Sequence, residues 1–259
     1  MAGEKIWIPQ TDGSVGNTDT STLKQPIPDV IKLNSEESLA SEKPTSSRWS
    51  VGVIFETSSF TSKDSLNGGS AQLTSGLSSG AQGKYELPIS NSFDSIVALQ
   101  FLHQSYTVPP GRLLDQENKN YFSFQLGLNN HSVSDFTYGF RVGIEELPII
   151  SSSAVNHLII QPFWSGKIGA EVDYQWLKFS AFDLDVLLEG ELYLPRNNSL
   201  FHLDTSSSQQ VGIPITKPFG AEQNLKLVPF FRHADLRTSI ESQNEWDLGI
   251  NLFFDWNTK

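Results

Sequence analysis

The chain has 259 residues, no cysteine and a formal net charge of -11, with 38% of its residues hydrophobic. No stretch approaches the roughly 18 consecutive apolar residues of a membrane-crossing helix, which excludes a helical membrane protein. The missing cysteine argues against disulfide-stapled secreted folds, thiolate metal sites and thiol catalysis. An acidic balance without a basic run speaks against nucleic-acid binding.

Residues 1–47 read as an extended, weakly ordered arm. They are rich in Thr, Ser, Asn, Asp and Pro, and Ile6-Trp7-Ile8 and Val30-Ile31-Leu33 are the only apolar anchors. So few anchors do not offset the entropy of ordering the segment alone. The arm is either a flexible periplasmic leader or a plug whose two apolar spots dock in a barrel mouth or on a neighbouring subunit. Its first residues, Met1 to Lys5, lack a charged region leading into an apolar one. Taken with the rest of the chain, this leads us to expect a secretory leader already removed.

From Arg48 the texture changes to period two, the signature of strands whose successive side chains point to opposite faces. Trp49, Val51, Val53 and Phe55 alternate with small or polar residues, and Thr57 to Gly80 reads as a long Ser/Gly/Thr loop. A hairpin follows over 83–89 and 93–108, turning at Ser90-Asn91-Ser92, and Pro109-Pro110-Gly111 ends it. Phe122, Phe124, Leu126 and Leu128 form the next apolar row. After a polar turn, Tyr138, Phe140, Val142 and Ile144 alternate with Gly139, Arg141, Gly143 and Glu145. Leu158, Ile160, Pro162, Trp164, Ile168, Val172, Tyr174 and Trp176 share one parity of a long strand kinked near Pro162. A segment from Phe182 to Leu194 interleaves leucines with Asp183, Asp185, Glu189 and Glu191. A polar loop to about Ser208, a short strand at 211–215, a rise over 225–233 and a loop over 235–244 lead to the last strand.

That last strand carries Trp246, Leu248, Ile250, Leu252, Phe254 and Trp256 on one face and mostly small or polar residues on the other. In a soluble sheet the greasy face would turn to a core; in a transmembrane barrel it turns to lipid. Gly-x-Arg-x-Gly-x-Glu over 139–145 favours the barrel, because glycine leaves room in a narrow lumen for long charged side chains to pair. About ten strands result, eight or twelve being the alternatives, with short turns and longer loops alternating along the chain. The fold class is therefore all-β, an antiparallel transmembrane barrel over 48–259 behind the N-terminal arm.

In this texture and its aromatic-terminated last strand the chain resembles small single-chain bacterial outer-membrane β-barrel proteins. The resemblance implies residence in the bacterial outer membrane, contact with its lipids, and delivery to the barrel assembly machinery through the C-terminal strand. Phe254 and Trp256 fit that strand signal, although Asn257-Thr258-Lys259 follow them. Homo-oligomerisation through the aromatic faces or the arm stays open.

Two groups of residues are candidates for function. Arg141, Glu145, Lys167, Glu171, Asp173, Asp183, Asp185, Glu189 and Glu191 face the lumen from three successive strands and must lie close across the ladder. Packed pairing of Arg141 and Lys167 with some carboxylates gives a filled, structural lumen; excess acid would instead line a small cation-preferring pore. The expected lipid-facing aromatic set is Trp49, Phe124, Tyr138, Phe140, Trp164, Tyr174, Trp176, Trp246, Phe254 and Trp256.

The histidines 103, 157, 202 and 233 fall near the extracellular ends of strands, where some outer-membrane barrels are hydrolases. His233 and Asp235 share one strand face, where a carboxylate could orient a base, and are the weak catalytic candidates. No nucleophile motif or metal-binding spacing accompanies them, so we expect no catalysis, no metal and no cofactor. The remaining class is a soluble all-β binding protein.

Overall fold

The computed structural model describes residues 46–258 apart from 65–68, 116, 134, 155–156, 198, 200 and 221, without the side chains of 152–154. Nearly all of the expected arm over 1–47 lies outside the described residues. In chain order the strands are β1 (Ser47–Asp64), β2 (Ser70–Ser75), β3 (Ser78–Pro88), β4 (Phe93–Thr107), β5 (Leu113–Leu114), β6 (Asn118–Val133), β7 (Phe136–Ala154) and β8 (His157–Lys178). They continue with β9 (Asp183–Tyr193), β10 (Arg196–Asn197), β11 (His202–Leu203), β12 (Ser206–Gly212), β13 (Ile215–Pro218), β14 (Gln223–Arg237) and β15 (Glu241–Thr258).

The sheet closes on itself. β1 pairs with β15 from Ser47↔Thr258 to Asp64↔Glu241. Around the ring follow β2 and β3 as one wall position, then β4, β6, β7, β8 and β9, then β12 and β13 as another, and finally β14. That makes about ten wall positions, antiparallel throughout, and both chain ends of the ring lie on the same side, the one the sequence reading places toward the periplasm.

Along β1 the burial is the reverse of a soluble sheet. Trp49, Val51, Val53 and Phe55 are exposed, while Ser50, Glu56 and Ser58 are buried. The same outward row recurs as Leu126 and Leu128, Tyr138 to Ile144, and Trp246 to Phe254. Between Trp49 and Thr57 the outward face spans eight residues, about 26 Å at roughly 3.3 Å each, close to the apolar band of a barrel in a bilayer.

Two expected loops prove to be largely strand, and a third holds a short hairpin. Instead of looping over 57–80, β1 runs on to Asp64 and is paired by β2. Phe60 and Leu73 point inward and are almost fully buried, and Ser58 N donates to Ser75 Oγ at 2.7 Å. Likewise β14 runs to Arg237 and β15 begins at Glu241, joined by a tight turn in which Thr238 Oγ1 accepts from Glu241 N at 2.9 Å. The segment 195–208 holds the small β10–β11 hairpin, with Leu203 fully buried. The outward Ser, Thr and Asn residues that look loop-like in sequence sit on strands that project beyond lipid into water. The alternation of short turns with long loops thus holds on the periplasmic side and gives way to strand extensions on the other.

β7 and β8 form the longest of these extensions, paired from Phe136↔Tyr174 to Ala154↔His157. Near Pro148↔Pro162 two residues without an N–H face each other; β7 is buried on both faces from Leu147 to Ile150, and on β8 Leu158, Ile160 and Phe163 are buried while Pro162 and Trp164 are exposed. Ile150 and Ile160 pack with Phe60, Leu73, Leu102, Tyr106 and Tyr121 from β1, β2, β4 and β6. Leu147, Ile149 and Phe163 pack with Tyr193, Phe201, Leu203 and Leu236 from the other half of the ring. A wall strand has one inward face, so burial on both places the hairpin across the bore. Side chains from the far wall hold it there: Gln243 Nε2 donates to Pro148 O at 2.7 Å, Ile150 N donates to Gln243 Oε1 at 3.0 Å, and Ser62 Oγ donates to Ile150 O at 3.2 Å. Leu158 and Ile160 share the parity of the lipid-facing row but belong to this crosspiece, because they lie beyond the bilayer band.

The core above the bilayer should therefore carry much of the stability. Phe60→Ala is expected to lower the stability of the refolded barrel in detergent by about 3–5 kcal/mol, read from its urea midpoint. A loss below about 1 kcal/mol would contradict a packed crosspiece.

Candidate functional site in the barrel lumen

Beneath the crosspiece lies a cavity of about 220 Å³ inside the ring. One side of it is charged, with Arg141 and Glu145 from β7, Lys167, Glu171 and Asp173 from β8, and Glu189 and Glu191 from β9. The other side mixes amides and apolar side chains, among them Gln82, Ile96, Gln100, Val228 and Phe230, with the charged Glu56, Lys84, Lys226 and Arg232.

The charged side is laid out by register. Arg141 is opposite Gly127 on β6 and Gly169 on β8, Lys167 is opposite Gly143, and Glu171 is opposite Gly139. A Cβ on Gly127 would stand 2.6 Å from Arg141 Cδ, and one on Gly139 would stand 2.5 Å from Glu171 Cγ. Glycine at these positions is therefore a matter of space, as the Gly-x-Arg-x-Gly-x-Glu pattern suggests.

The pairs that form are continuous across five strands. Lys167 Nζ is 2.5 Å from Glu145 Oε2 and 2.7 Å from Glu191 Oε1. On the far side of Glu145, Arg232 Nη1 is 3.5 Å from Oε1, while its Nε donates to Asp247 Oδ2 at 2.7 Å and its Nη2 lies 3.4 Å from Glu245. Arg141 pairs with Glu171 and donates to Asn129 Oδ1 at 2.8 Å. Lower in the bore Lys226 is 3.9 Å from Asp173, and Glu86 takes both Arg48 and Lys84. The side chains of Arg141 and Lys167 are 5% exposed, whereas those of Lys84, Asp173 and Lys226 lower in the bore are 32%, 26% and 27% exposed, and Glu86 there stays buried beneath its two cations.

Most of the expected lumen cluster is thus brought together. Asp183 and Asp185 stand apart, at the periplasmic end of β9 opposite Lys178 and Gln175, outside the chamber lining. The expected cluster of two bases and seven carboxylates is incomplete, since Arg48, Lys84, Lys226 and Arg232 also point inward, with Glu56, Glu86, Glu245 and Asp247. These residues are on strands at the two ends of the chain. Their signal was available: Arg232 lies between Phe231 and His233, whose parity is outward, and Asp247 is on the polar face of the last strand.

The ten aromatic candidates all fall on the outward parity. Trp49 stacks with Trp256 at a ring separation of 6.5 Å, Phe136 with Tyr174 at 4.6 Å, and Phe231 tilts against Trp246 at 5.3 Å. Trp164, Trp176, Tyr138, Phe140 and Phe254 are exposed; Phe124 lies between Leu99 and Ile144 in the ladder.

His233 and Asp235 do share the outward face of β14, yet each has its own partner. The His233 ring lies 3.9 Å from that of Trp246, and Asp235 Oδ2 accepts from Arg237 Nη2 at 2.8 Å. Other extracellular histidines bond to side chains nearby: His103 to Asn120 at 2.8 Å, His157 to Asp115 at 2.6 Å and His202 to Asn197 at 2.5 Å. His131, at the opposite end, bridges Asp94 at 2.8 Å and Thr137 at 3.0 Å and so ties the β6–β7 turn to β4. Among the described residues no three His, Cys, Asp or Glu are grouped to hold a metal ion.

Removing one buried partner from this network leaves the others charged and unpaired. Lys167→Met is expected to cost about 3–5 kcal/mol of stability in the same urea assay, since Glu145 and Glu191 both lose their cation. Arg237→Met, at an exposed pair, should leave the midpoint unmoved. Equal effects of the two would mean that the lumen pairs behave as surface pairs.

No family model matches the chain, and no curated protein matches its sequence. Among solved structures it is similar to the outer membrane protease OmpT from Escherichia coli, at 9% identity over 83% of this chain and 97% of that one, with a TM-score of 0.48. It is also similar to an outer membrane channel from Pseudomonas putida F1, at 12% identity over 83% and 96% with a TM-score of 0.45. A third is the toluene transporter TodX of P. putida, at 9% identity over 83% and 91% with a TM-score of 0.39. The closed antiparallel ring, its outward belt of apolar and aromatic side chains and its charged interior make the chain an antiparallel β-barrel of the membrane-spanning kind.

Proposed function

We propose that this barrel is a closed, non-conducting outer-membrane protein with a structural or assembly role. The observation that carries the reading is the β7–β8 crosspiece, packed on both faces and tied to Ser62 and Gln243 of the opposite wall. In this reading the crosspiece interrupts the water column of the bore, and the ion pairs beneath it couple five strands. Lipid is the partner this reading gives to the outward belt, and the assembly machinery the partner it gives to β15, whose outward row ends at Trp256.

A small cation-preferring pore is the second reading, favoured by the carboxylates that outnumber bases around the lumen. Planar-bilayer recording separates the two. The refolded protein is expected to give no conductance steps above background, and a variant in which residues 149–161 are replaced by a two-residue Asn-Gly turn is expected to give them. Cation-selective steps from the unaltered protein would establish the pore instead.

A further inference from the structure

The chamber carries polar groups that the fold itself leaves unanswered. Ser123, 8% exposed, lines it with an Oγ that has no hydrogen-bond partner, and Asn251 Oδ1 on another wall is likewise buried and unpartnered. Two carboxylates of the lining have an amide donor but no salt bridge among the described residues. Glu189 on β9 accepts from Gln210 Nε2 at 3.3 Å, and Glu56 on β1 accepts from Gln104 Nε2 at 3.0 Å. The other lining carboxylates, Glu145, Glu171, Asp173 and Glu191, each have a cation.

These groups ask for positive charge and for N–H donors, and they do so on separate walls. Between them the lining is apolar at Ile54, Ile96, Phe230 and Phe253. A bare or hydrated metal ion would leave that surface unused. An ammonium group at each end of a short alkyl chain would answer both carboxylates, give protons to Ser123 Oγ and Asn251 Oδ1, and lay its methylenes on the apolar wall. The cavity, about 220 Å³, accommodates the six heavy atoms of a four-carbon diamine. The crosspiece shuts the chamber on the extracellular side, while the partly exposed Lys84, Asp173 and Lys226 mark its opening at the periplasmic end.

We propose that the lumen chamber is a binding site for a small organic dication, a short alkyl diamine, entered from the periplasmic side. The test is isothermal titration of the refolded full-length barrel in detergent with 1,4-diaminobutane, and with 1,4-butanediol and Mg²⁺ as comparisons. Saturable 1:1 binding of the diamine is expected, with none for the diol. Glu189→Gln should weaken it at least tenfold, and Ser123→Val, which touches no ion pair, several-fold. Absence of saturable diamine binding, equal binding of the diol, displacement by equimolar Mg²⁺, or unchanged affinity in both variants would each overturn the proposal. Should Glu189→Gln lose the heat-modifiable folded band, Ser123→Val decides alone. The inference does not require a closed bore: a barrel that conducts and binds the diamine sinks the structural reading and leaves this one standing.

Discussion

Everything in this structure depends on the ladder between the first and last strands. Within hydrocarbon no water answers a free N–H or C=O, so a sheet that spans a bilayer cannot keep an edge. The eighteen register pairs from Ser47↔Thr258 to Asp64↔Glu241 remove both edges at once. Closure then forces the side chains apart by parity: one set must suit lipid and the other must fill a narrow bore. The exposed Trp49, Val51, Val53 and Phe55 against the buried Ser50, Glu56 and Ser58 show that division on a single strand.

Filling the bore is a problem of charge and space together. A charged group withdrawn from water is tolerated when it is paired, and pairing in a ring this small needs long side chains with nothing opposite them. Glycines 127 and 139 supply the space, and Arg141 and Glu171 use it. Glu145 then links Lys167 to Arg232, so that strands distant in sequence share one network. Stability and shape of the lumen are consequently the same property.

Outside the lipid band the rule of parity lapses, because water can solvate one face of a strand and another strand can cover the other. There the β7–β8 hairpin leaves the wall, and the opposed Pro148 and Pro162 mark where the ladder gives up donors. A polar amide, Gln243, then replaces the lost ladder bonds with two of its own. The result is a barrel with a charged chamber below and a small apolar core above.

The sequence by itself determined the class of fold, the run of outward residues from Trp49 to Trp256 and most of the charged row on β7, β8 and β9. These are properties of period two, which a strand expresses whatever surrounds it. The hairpin at 83–108 and the turn after β6 were legible for the same reason. Arg232, Glu245 and Glu56 were harder to see, since their membership in the lumen depends on which chain segments become neighbours when the ring closes. Only tertiary structure decided that Thr57 to Asp64 and Ser70 to Ser75 are strand, because Phe60 and Leu73 are two apolar residues in a polar stretch until a crosspiece arrives to pack on them. It also decided that Leu158 and Ile160 face protein and His233 faces Trp246. Parity says which side of a strand a residue is on, and the distance from the bilayer midplane, set by the whole ring, says what lies on that side.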